Sequence, residues 1–182
     1  MRFIDTHRRP VEARPVTIDH QALRHELARG VARNLVARHG DALVSVVLFG
    51  SVARGTAKDN SDIDLVLVFR DPPRSRDGRF RLFWDALGAL EDRRVELARM
   101  GIGVDWSPIV PSVAEARHRS RLYLDLVDEA ELLVDHDGFF QAVLDDMRAR
   151  LIEIGATKTT YPDGSGCWDL NPLRLPLSQV IL

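Results

Sequence analysis

Two short apolar runs on either side of a turn constrain this chain more than any other feature. The first, Leu43–Phe49 (LVSVVLF), is closed by Gly50; the second, residues 62–69 (DIDLVLVF), is opened by the turn-forming triplet Asp59-Asn60-Ser61. Both have strand length, carry β-branched valines and lack sustained polar alternation, so both read as strands buried on two faces. Such strands need helices to cover them, and the flanking segments supply helical periodicity. Ahead of the first strand, Ala22/Leu23, Leu27, Val31 and Leu35/Val36 recur at helical spacing, with Thr17 or Asp19 placed to cap and Gly40 placed to stop. After the loop 71–78, a helix is predicted over 80–97, closed by Met100-Gly101. Residues 102–110 form a third strand, in which Pro108 argues for an edge position or an early end. Beyond Pro111 the pattern is mostly helical, over 113–127 and 139–154, with a short apolar stretch at 132–134 between them. The fold class is therefore α/β (α+β), a small mixed β-sheet flanked by helices. Three parts are expected: an irregular N-terminal lead-in over 1–17, a core over 18–110, and a helical C-terminal extension and tail over 111–182.

Composition narrows the function classes. With 25 Lys+Arg against 27 Asp+Glu the formal net charge is −2, which disfavours bulk nucleic-acid binding and an RNA-end substrate. No apolar run approaches the ~18–20 residues of a membrane span, and the charged N-terminal residues do not read as a secretory signal. Cys167 is the single cysteine, so neither an internal disulfide nor a zinc–thiolate cluster is expected, and a reducing, cytoplasmic location is the expectation. The six histidines show no metal-ligand spacing.

The chemistry is concentrated between residues 48 and 68. A buried strand ends in Gly50-Ser51, where a backbone without Cβ can approach a ligand and the following amides can face an anion. After ten intervening residues come Asp62 and Asp64. On a strand, positions i and i+2 share a face about 6.6 Å apart, so both carboxylates project together while Ile63 points to the core. That donor set suits Mg²⁺, or a metal pair about 3.5–4 Å apart for in-line phosphoryl displacement. Asp105, in the third strand, would bring a third acid to the same sheet edge, with Ser107 its competitor on the same face. Three converging acids repel one another unless a cation joins them.

Gly50-Ser-Val-Ala-Arg-Gly55, Ser61-Asp-Ile-Asp-Leu65 and the later Asp105 together resemble the DNA polymerase beta-like nucleotidyltransferase superfamily, most of all its small bacterial and archaeal members, the minimal nucleotidyltransferases. The resemblance implies transfer of a nucleoside monophosphate, AMP with ATP as the expected NTP, to an acceptor hydroxyl with release of pyrophosphate. It implies that Gly50 and Ser51 hold the β/γ phosphates and that Asp62 and Asp64 ligate two Mg²⁺ ions. Asp105 would complete one metal site and assist deprotonation of the acceptor, and Arg54 lies close enough to contact phosphate. The acceptor implied is a partner protein or a small molecule. A non-catalytic, antitoxin-like interaction module of the same fold is the alternative. Trp168-Asp-Leu-Asn-Pro172 is similar to a tail in some stand-alone members and is expected to pack against the body.

Overall fold

The computed structural model describes residues 18–161 and 166–174; the lead-in expected over 1–17, with Thr17 as an alternative cap, lies outside them. Helix α1 (His20–His39) begins at Asp19, whose carboxylate accepts the Ala22 amide at 2.9 Å, and ends at Gly40. Strand β1 (Leu43–Phe49) runs into the single-turn helix α2 (Gly50–Ala53), and β2 (Ile63–Phe69) follows. The helix expected over 80–97 is two helices, α3 (Arg76–Leu87) and α4 (Ala89–Arg99). Gly88 separates them with φ +50 and ψ −129, a conformation that leaves the helix at little cost only for glycine.

Strand β3 (Trp106–Ile109) is shorter than the 102–110 expected and lies at the sheet edge, where Pro108 fits. The helix expected over 113–127 is also divided, into α5 (Val113–Ala116) and α6 (Tyr123–Glu129), because the polar run between them offers no apolar stripe to continue. The apolar stretch at 132–134 is the middle of β4 (Glu131–Asp135), which pairs antiparallel with β1. Helix α7 (Phe139–Glu153) follows, and the tail forms a hairpin of β5 (Thr157–Thr160) and β6 (Gly166–Asp169) that the sequence pattern did not indicate.

The main sheet has the order β3-β2-β1-β4, with β2 and β3 parallel and the other pairs antiparallel. One core sits between one sheet face and α1, α3 and α4, and includes Leu35, Leu65, Phe83 and Leu87. The second sits between the other face and α5, α6 and α7, and includes Val47, Val66, Phe140 and Met147. The expected layout, a mixed sheet flanked by helices, is the one observed. Among the described residues the extension over 111–182 supplies α5, α6 and α7, but it also lends β4 to the sheet and packs the second helix layer on it, so it shares the core of 18–110. Among the described residues no helix is long and apolar enough to cross a membrane.

Candidate active site

At the end of β1 the chain turns at Gly50 with φ +71, and the register pairs Phe49 with Asp64 of β2. The turn is closed by bonds from the Arg54 amide to the Gly50 carbonyl (3.1 Å) and from the Thr56 amide to the Ser51 carbonyl (2.9 Å). Glycine is needed here twice over. Its φ is unfavourable for an L side chain, and a Cβ at this position would overlap the Asp64 carboxylate, whose Cγ would lie 3.1 Å away. The Asp64 carboxylate is thus packed directly over the Gly50 backbone, at the start of a helical turn whose first amides have no intrahelical acceptor.

Asp64 is half-buried in β2, Asp62 is exposed one residue ahead of the strand, and Ile63 between them is buried. The Asp62 charge is felt at Asp64, and strand alternation carried one residue ahead of β2 would put the two carboxylates on one face. Opposite Asp64 in the parallel ladder stands Ser107, whose hydroxyl donates to its carboxylate. Burial raises the Asp64 pKa above the ordinary value and the Asp62 charge adds to the rise, while Ser107 and the Arg54 charge oppose it.

Asp105 is exposed and immediately precedes β3. The Ile63 amide donates to the Asp105 carbonyl at 2.9 Å, so the ladder carries Asp105 alongside Asp62, not Asp64. The Asp105 charge is also felt by Arg94 of α4. The compact three-acid cluster expected from Asp62, Asp64 and Asp105 is not formed: among the described residues no group of three or more His, Cys, Asp or Glu is arranged to hold a metal ion. The register is the reason, since it gives Ser107 the place beside Asp64. Asp62 and Asp64 remain as a two-carboxylate donor set. That set fits Mg²⁺, which uses one or two protein carboxylates and takes its other ligands from water and substrate phosphates. Burial, with the Asp62 charge adding to it, lifts Asp64, and a bound cation would oppose both.

Arg54 follows α2, and its guanidinium donates to Glu129 of α6 at 2.9 Å. Glu129 also accepts from Lys158 of β5 at 3.0 Å, and Lys158 reaches Asp128 at 3.2 Å and lies over the Trp168 ring. A chain of alternating charge therefore runs from beside Asp64 to the C-terminal hairpin. Glu129 and Lys158 gave no local signal in the sequence, because their partners lie 75 and 29 residues away. Gln21 and Arg24 of α1 also reach the site's loops. Arg24 carried a signal that went unread: it falls in the apolar stripe, three, four and seven residues before Leu27, Ala28 and Val31.

The chain matches the family described as nucleotidyltransferase domain over residues 29–127. It is 29% identical over 111 residues to a Methanocaldococcus jannaschii protein that carries the name protein adenylyltransferase MJ1305, a match spanning 61% of this chain and 71% of that one. Among solved structures, a Sulfolobus solfataricus nucleotidyltransferase is similar at 23% identity and a TM-score of 0.39, covering 62% of this chain and 81% of that one. A chain in a Shewanella oneidensis complex of tri-AMPylated HEPN toxin with MNT antitoxin is similar at 18% identity and a TM-score of 0.40, covering 71% and 92%. At these scores the structural likeness is loose.

Proposed function

The chain belongs to the nucleotidyltransferase-domain family, and from that premise we propose that it transfers AMP from Mg²⁺-bound ATP to a hydroxyl group on a protein, releasing pyrophosphate. The observation that carries the proposal is the packing of the Asp64 carboxylate over the Gly50 backbone, with the Asp62 charge felt at that carboxylate. It joins an anion-facing turn to a paired carboxylate, the two components that a nucleoside triphosphate with its metal requires.

Gly50 and Ser51 receive the β/γ phosphates. Asp62 and Asp64 hold the Mg²⁺ ions, two by family resemblance, whose chemistry when bound is to neutralise phosphate charge. The acceptor oxygen attacks the α-phosphorus in line, the bond from the α-phosphorus to the bridging oxygen breaks, and pyrophosphate leaves. Asp105, alongside Asp62, takes the acceptor proton. Arg54 exchanges its Glu129 partner for phosphate oxygens. The name of the M. jannaschii relative supports AMP as the group and protein as the acceptor. The near-neutral charge supports the same choice over a nucleic acid.

Calorimetric titration with Mg²⁺ and a non-hydrolysable ATP analogue tests this reading. Wild type binds, and Asp62→Asn/Asp64→Asn loses at least about tenfold in affinity as two metal-binding carboxylates are neutralised. Asp105→Asn keeps binding but loses about 100-fold or more in transfer rate, the scale of a general-base contribution, whereas Ser107→Ala costs far less. The reverse order would move the third functional position from Asp105 to Ser107.

A further inference from the structure

Arg24 has a relative exposure of 0%, the largest fully buried side chain in the molecule as described, and its guanidinium meets backbone carbonyls. Its Nε donates to the Ser61 carbonyl at 2.7 Å, and one terminal nitrogen donates to the carbonyls of Asp59 (2.5 Å) and Gly103 (2.8 Å). The other terminal nitrogen lies 3.3 Å from the His20 carbonyl and 3.3 Å from its ring Nδ1. Burying a guanidinium is costly unless its donors are satisfied, and a planar fork that spans separate segments fixes their relative positions.

The segments joined here are informative. Asp59 and Ser61 lie in the loop that delivers Asp62 and Asp64, and Gly103 lies in the loop that delivers Asp105. Three residues earlier on α1, on the same face, Gln21 does the corresponding work for the turn. Its Nε2 donates to the Val52 carbonyl of α2 at 2.7 Å, and its Oε1 accepts the Ala57 amide at 3.0 Å. Both residues lie ahead of the span 29–127 matched by the family.

We propose that Gln21 and Arg24 form a two-point positioning clamp. Through it, α1 fixes the phosphate-facing turn, the Asp62/Asp64 loop and the Asp105 loop in one mutual geometry. Arg24 touches no substrate and acts through the three acids; Gln21 acts through α2. The proposal rests on the nucleotidyltransferase reading only for its kinetic consequence, since the clamp itself is a property of the ligand-free chain. Arginine is required in preference to lysine, because an ammonium in place of the nitrogen shared by Asp59 and Gly103 would leave the Ser61 carbonyl and the His20 end of the fork unmet and would lack the fork's planar rigidity.

Amide hydrogen exchange without nucleotide, followed by steady-state AMP transfer, tests the clamp on the full chain as wild type, Arg24→Lys, Arg24→Gly and Gln21→Ala. Arg24→Lys should exchange at least about tenfold faster at 59–63 and 103–105 while α7 stays as in wild type, a local opening rather than global loss. Its kcat should fall about 100-fold, the scale of misplaced catalytic groups, with a smaller rise in KM for ATP because the turn is still held while the Asp62/Asp64 loop is loosened. Gln21→Ala should instead loosen 52–57 and act mainly on KM. Low-millimolar guanidinium should restore part of the Arg24→Gly rate. Should the Arg24 variants not fold, Gln21→Ala, which truncates a half-buried side chain, still decides. Wild-type exchange in the loops of a folded variant, or uniform acceleration across the sheet, would overturn the clamp. If wild type itself binds no Mg²⁺·nucleotide, the functional reading falls, and the exchange result still decides the clamp by itself.

Discussion

At Gly50 two constraints coincide, a φ of +71 and the lack of room for a Cβ beneath the Asp64 carboxylate. Gly50→Ala therefore carries a left-handed backbone cost of about 1–2 kcal/mol and also displaces Asp64. The expected outcome is a modest drop in thermal midpoint with a transfer rate lower by about 100-fold or more, since displacement of a catalytic group by about 1 Å has that scale. Thermal denaturation and initial rates read the two effects separately; a folded Gly50→Ala chain with wild-type turnover would contradict this. The local arrangement of Gly50, Ser51, Asp62 and Asp64 was legible in the sequence because it needs only one strand end and one i, i+2 pair. The choice between Asp105 and Ser107 was not, because it depends on the register of β2 with β3, which pairs residues about forty positions apart. Arg54 follows the Gly50 turn, as the sequence order requires, but its pairing with Glu129 depends on α6 packing against α2 and leaves no mark near residue 54.

Among the elements, α5 shows how a very short helix is held. The Ser112 hydroxyl accepts the Glu115 amide at 3.2 Å, and the Glu115 carboxylate accepts the Ser112 amide at 2.7 Å, a reciprocal cap. Arg79 of α3 donates to both Glu115 oxygens, at 2.6 and 3.0 Å, and to the Val110 carbonyl at 3.0 Å, tying α3 to the end of β3. Chiefly through Arg79, and then the Ser112 amide, the Glu115 carboxyl is held down at about 2 against an ordinary 4.5. A carboxyl depressed by folding adds stability above its unfolded pKa and loses it as pH falls through the folded one. Glu115→Gln should therefore unfold at a lower temperature than wild type at neutral pH, and the gap should close between pH 4.5 and about 2. A gap that persists at the bottom of that window would show that the charge is not what stabilises α5. Element types were legible where periodicity was long, as in α1, or the run fully apolar, as in β1 and β2. The division after Ala116 is marked only by the polar run 117–121, and the division at Gly88 was not legible, since apolar spacing continues across it from Leu87 to Leu90. Nor was β4, whose three central apolar residues become a strand only because β1 offers an open edge.

The described residues form a four-stranded sheet between two helix layers, with the β5–β6 hairpin beside it, and two cores bury that sheet on both faces. Continuous apolar β1 and β2 already required that arrangement, but the sequence pattern did not show that the second layer comes entirely from residues after 110. The site lies where β1, β2 and β3 deliver their ends, with α1 holding the loops from one helix layer and α6 and the C-terminal hairpin closing on Arg54 from the other. The near-neutral charge of −2 disfavours a polyanionic partner. The most direct test is incubation of the full chain with ATP labelled at the α-phosphate, Mg²⁺ and a cell extract as the source of acceptor, beside an Asp62→Ala/Asp64→Ala chain. Label should become bound to protein, survive denaturation, require Mg²⁺ and disappear with the double substitution. Equal labelling by the substituted chain, or no retained label from the wild type, would contradict nucleotide transfer at Asp62 and Asp64.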